Sequence, residues 1–152
     1  DLINEKNAHG ITVRGCMSFG KVAETTPCLP FSLINDEGLM AFCESDFVVI
    51  PSGVLMHHIS GKPVFLNDPT FPHDGITTCA HCSSPRRMNG KDLEPADILT
   101  HCESDYGAAP KVFYRKGQVI TNIIPDHRSL KWVGFKGKII VTSKMVNIHL
   151  CP

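Results

Sequence analysis

Apolar residues come in short bursts separated by turn signals, and their spacing changes character near residue 70. Before that point, strand-like and helix-like bursts alternate. Ile11-Thr12-Val13-Arg14 is a β-branched run after His9-Gly10 and predicts a strand. Leu29, Phe31, Leu33 and Ile34 mark one side of a short helix that Pro27 opens and Gly38 closes. Residues 39–43 form a compact apolar run, expected as a buried parallel strand. Val48, Ile50, Val54, Leu55 and Ile59 predict a second helix that stops at Gly61, with Pro51 tolerated in its first turn. Residues 63–66 then complete a β-α-β-α-β segment of an open α/β sheet. Such sheets bind ligands beyond the carboxyl ends of their strands, where Glu44-Ser45-Asp46 falls.

After residue 70 turn signals are frequent: Pro72-His73-Asp74-Gly75, Asn89-Gly90, Lys116-Gly117 and Pro125-Asp126 among them. Short β-rich runs lie between, over residues 76–79, 111–114, 118–124, 138–142 and 145–150. Residues 112–114 and 118–121, flanking Arg115-Lys116-Gly117, predict a hairpin. Residues 94–100 are at most a short helix. The expected fold class is therefore α+β: a partial α/β sheet over residues 1–68, then a small β-barrel or sandwich over 69–152.

Composition narrows the function. Fifteen basic residues balance fifteen acidic ones in 152 residues, so the chain lacks the single-sign field that collects nucleic acid or an anionic membrane. No apolar run approaches the roughly 20 residues of a membrane span. The start, DLINEKNAHG, has neither the basic opening nor the apolar run of a secretory leader, and a cytoplasmic setting is expected. There are seven cysteines, an odd number, and most stand singly in apolar surroundings; buried thiols in a reducing compartment are the plainest reading.

Two clusters carry candidate chemistry. Cys79, His81 and Cys82, with His101-Cys102 downstream, offer thiolate and imidazole donors suited to structural zinc. Adjacent His81 and Cys82 are not expected to face one ion easily, and Cys79 and His81 could equally alternate faces on a strand. Glu44 and Asp46, two residues apart, would point to one side if the strand continued. Paired carboxylates can hold a hard divalent ion or divide metal binding from base catalysis; equally, they can cap the following helix. His57 and His58 sit about 100° apart on a helix and are not expected to share a metal. The tetrapeptide Cys-Glu-Ser-Asp occurs at 43–46 and again at 102–105, in contexts so different that chance explains it.

Taken in order, the blocks SLINDEG…AFCESD, the helix ending His58-Ile59-Ser60-Gly61, KPVFLNDP, AHCSSPRRMNG and THCESDYGAAP resemble the fucose/arabinose isomerase-like proteins, most nearly their shorter microbial branch. The likeness runs from about residue 10 to the end. It implies a metal-dependent aldose–ketose isomerase architecture, in which α/β domains precede a C-terminal six-stranded Greek-key barrel. The implied cofactor is Mn2+ or another divalent metal, the substrate a monosaccharide, and the assembly a homo-oligomer. Asp46 matches the family's metal-binding aspartate and His81 its histidine ligand. A carboxylate would move a proton between neighbouring sugar carbons through an enediol.

One departure stands out. The family's second carboxylate should follow the first strand, but Arg14-Gly15-Cys16-Met17-Ser18-Phe19 contains none, so Glu44 or Glu24 would have to serve as base. The resemblance makes this chain a C-terminal portion, its sugar pocket shared with N-terminal domains or a neighbouring subunit, and not active alone. The alternatives are a non-catalytic carbohydrate-binding or assembly domain, and a module with structural zinc at Cys79, His81, Cys82 and Cys102.

Overall fold

The computed structural model describes residues 2–142. They are mixed α and β, in the order α1 (Leu2–Glu5), β1 (Gly10–Thr12), α2 (Cys16–Ala23), α3 (Cys28–Asp36), β2 (Met40–Phe42), α4 (Ile50–Ser60), β3 (Asp68–His73), β4 (Ile76–Ala80), β5 (Ala96–Leu99), β6 (Ala109–Val112), β7 (Val119–Asp126) and β8 (Lys131–Lys138). β1 and β2 pair in parallel, with Gly10 opposite Met40 and Thr12 opposite Phe42. The other pairs, β3–β4, β5–β6 and β7–β8, are antiparallel.

Helix α3 organises the core. Cys28, Phe31, Ser32 and Asn35 are buried at the spacing of one helical face. Gly38, at φ 85°, then turns the chain back into β2. Cys16, Cys28, Phe31, Ala41, Cys43, Cys82 and Ala109 form one buried cluster, so much of the core surface is sulfur. On the other side of β2, α4 packs so closely that any side chain at Gly53 would collide with the Phe42 ring. Gly61, at φ 63°, closes α4 with its N–H donated to His57 O.

Several expectations change. Residues 63–66 join no strand: Phe65 packs its ring near Tyr114, 6.5 Å between centroids, and Asn67 Nδ2 donates to Phe65 O. The parallel sheet therefore stops at two strands. The hairpin expected between 112–114 and 118–121 does not form. β6 pairs instead with β5, the segment read as at most a short helix. Arg115 is drawn off by Asp92 and Glu94, while Gly117 N–H donates to Ile139 O and Ile139 N–H to Gln118 O, which hands β7 to β8. Helix α2 is an addition: its Ser18 and Gly20 are weak helix formers and hid it.

Among the described residues the strands form four separate pairs and no closed barrel. Residues 139–142 lie beyond β8 rather than in a strand. The run 145–150 falls outside the described residues.

Candidate functional site

The carboxyl ends of β1 and β2 open onto a shallow concavity of about 320 Å³ lined by Arg14, Gly15, Glu44, Ser45 and Asp46. Glu44 leaves the strand in the left-handed region, at φ 58°, an uncommon conformation for a residue with a side chain. Thr12 Oγ1 donates to Glu44 O at 2.5 Å and holds it there. This turn, not strand alternation, is what brings both acids to one concavity. Asp46 Oδ1 accepts the Val48 N–H at 2.7 Å, and Asp46 O accepts the Ile50 N–H at 2.9 Å, so Asp46 braces the turn that leads into α4.

Beneath that surface lies a cluster of soft donors, assembled by three sets of hydrogen bonds. Asn35 bonds both backbone groups of Ala41 and sets β2, hence Cys43, against α3. Ser32 Oγ donates to Ser84 O at 2.7 Å and presses the turn carrying His81 and Cys82 onto the same helix. Leu29 N–H donates to Ala108 O at 3.0 Å, drawing in the turn that begins at His101. There Gly107, at φ 65°, approaches so closely that an added Cβ would lie 2.5 Å from Thr26 N.

The result is two groups of potential metal donors: Cys28, Cys82 and His101, and Cys43, His81 and Cys82. Within each, the donor atoms all lie within 4.8 Å of one another, close enough to hold a metal ion. All five residues are buried. Cys43 Sγ is 3.9 Å from Cys82 Sγ, and Cys82 Sγ is 3.5 Å from His81 Nδ1, so adjacent His81 and Cys82 do converge, against expectation. His101 Nδ1 is 2.9 Å from Ser104 Oγ, and Nε2 is 4.0 Å from Glu103 Oε2.

Electrostatics follow from this packing. The Cys82 thiol hydrogen-bonds Cys28 and draws its pKa down to about 7, against the cost of burial. Burial, with Cys43 beside it, pushes the Cys16 thiol up to about 12. Burial also lowers His81, favouring the neutral imidazole, while the Asp68 and Glu44 carboxylates act in the opposite sense. Cys16 Sγ reaches Glu44 Oε1 at 3.8 Å, linking the thiol layer to the carboxylate concavity.

The residues singled out from the sequence separate accordingly. Glu44 and Asp46 share the concavity; Glu24, exposed at the left-handed C-terminal cap of α2, does not line it. His81 enters a donor group with Cys43 and Cys82, and Asp46 belongs to neither group. Of the set considered for zinc, His81 and Cys82 are brought together, whereas Cys79 and Cys102 stand outside both groups; Asn122 Nδ2 lies 3.8 Å from Cys79 Sγ. The sequence reading passed over Cys28 and Cys43 as donors. Their only signals were a cysteine at a helix start and another at a strand end.

No protein-family model, curated protein or solved structure matches the chain. Among the described residues no helix is long and apolar enough to cross a membrane.

Proposed function

We propose that the chain is the C-terminal part of a metal-dependent aldose–ketose isomerase-like protein, and that the concavity at the ends of β1 and β2 is its share of the sugar site. The observation that carries this reading is the convergence of Arg14, Glu44 and Asp46 on one opening at the carboxyl ends of a parallel strand pair. Cation, carboxylate and hydroxyl groups together suit a polyhydroxylated ligand, which needs donors and acceptors and offers little apolar surface.

Glu44 and Asp46 are hard oxygen donors of the kind Mn2+ takes, and burial keeps the His81 imidazole in the form that ligates. Asp46 and His81 are the residues that would hold the metal, which would polarise the sugar's carbonyl and hydroxyl oxygens. Glu44, Asp46 and His81 do not form a set with all donor atoms within 4.8 Å. Glu44, which lines the concavity, would take a proton from one sugar carbon and return it to the next. Glu24 has no such position. Arg14 would orient a sugar oxygen.

Exposed Leu130, Trp132, Val133 and Phe135 around β8 offer apolar surface that further domains or neighbouring subunits of such a protein would cover. Mn2+ binding followed by the loss of the free-ion electron paramagnetic resonance signal tests the metal assignment. Asp46→Asn is expected to weaken binding about ten-fold or more. Equal binding by the variant would remove Asp46 from the site.

A further inference from the structure

The soft donors under the concavity are not explained by a hard-metal sugar site. Three of them come from separate segments: Cys28 from the first turn of α3, Cys82 from the turn after β4, and His101 from the turn after β5. Each is almost completely enclosed, at 0%, 1% and 1% exposure. A cysteine alone in a core is an ordinary small apolar residue. Two sulfurs and an imidazole enclosed together, all within 4.8 Å, form instead a thiophilic donor set.

We propose that Cys28, Cys82 and His101 bind a thiophilic divalent cation of the zinc type. This goes beyond the isomerase reading and does not depend on it. In a tetrahedral zinc site, Zn–S bonds of about 2.3 Å imply S···S edges of about 3.8 Å. The Cys28, Cys82 and His101 donor atoms, all within 4.8 Å of one another, are near enough to close onto such edges. The Ser104 hydroxyl lies 2.9 Å from His101 Nδ1, a contact of the kind that fixes the orientation of a ligand imidazole. His81 lies beside the Cys82 sulfur but is grouped with Cys43 and Cys82, apart from Cys28 and His101.

The ion would be structural. It would tie the start of α3 to the turns that follow β4 and β5.

The test uses the whole chain, reduced, stripped of metal by a chelator and titrated with Co2+. A sulfur-to-cobalt charge-transfer absorption saturating at one Co2+ per chain, and displaced by Zn2+, is expected. Cys28→Ser and His101→Gln should each weaken binding about ten-fold or more. Cys79→Ser and His81→Gln should leave it unchanged. A folded wild-type chain without the band overturns the proposal, as does a band lost with His81→Gln and retained with Cys28→Ser. Should the Cys28 or His101 variants fail to fold, alkylation of the wild-type chain decides: Zn2+ should protect Cys28 and Cys82 and leave Cys79 unprotected, and uniform labelling overturns the proposal. Loss of Mn2+ binding in Asp46→Asn bears only on the carboxylate site, so the two readings fail separately.

Discussion

Asn35 grips Ala41 with both atoms of its side-chain amide: Nδ2 donates to Ala41 O at 2.8 Å and Oδ1 accepts from Ala41 N at 3.1 Å. The same Nδ2 reaches Phe31 O at 2.9 Å, and Asn35 is only 2% exposed. The side chain thus takes the place of a neighbouring strand for β2 while anchored in α3. Asn35→Ala leaves two backbone groups of Ala41 without their partner in the core, and should cost about 3 kcal/mol of stability in urea melts. Asn35→Asp keeps the acceptor but loses the donor and buries a charge, so it should cost at least as much.

Gly107 permits the approach that brings the His101 turn to the start of α3. Gly107→Ala places a methyl group 2.5 Å from Thr26 N in a backbone conformation, φ 65°, that alanine disfavours. A loss of about 1–3 kcal/mol is expected in thermal or urea melts. Gly75→Ala is the control, because an added Cβ there meets nothing within 4 Å although φ is again positive. A smaller loss there separates the collision from the backbone preference.

Asp36 gives the fold a pH dependence. Its Oδ1 accepts the Arg87 N–H at 2.7 Å, but burial outweighs that bond and raises its pKa above the usual 3.8. The folded state therefore holds this proton more tightly than the unfolded chain, and the group's contribution to stability falls as pH rises from 3.8 through the raised value. Below 3.8 both states are protonated and the dependence disappears. Comparing urea melts across that window with those of Asp36→Asn should show this downward component in the wild type and its absence in the variant.

Much of the first half was legible locally. Gly38 and Gly61 marked helix ends because each sits where a positive φ is required, and the apolar run around Met40 marked a covered strand. Strand partnership was not legible. Residues 112–114 and 118–121 carry a good local hairpin pattern, but the attraction of Arg115 to Asp92 and Glu94 and the pairing of Gln118 with Ile139 are distant in sequence. The candidate site divides the same way. Glu44 and Asp46 were found from spacing, although a left-handed turn at Glu44 replaces the alternation that suggested them. Cys28 and Cys43 became visible as donors only when Ser32 and Asn35 closed long-range contacts around α3.

The proposed sugar site is tested most directly by Mn2+-dependent isomerisation of fucose and arabinose in the longer protein that the proposal implies. Glu44→Gln should reduce turnover by about 10²–10⁴-fold, the usual worth of a positioned proton-transfer group. Glu24→Gln, altered at a carboxylate away from the concavity, should leave it intact. Turnover undiminished by Glu44→Gln would contradict the account.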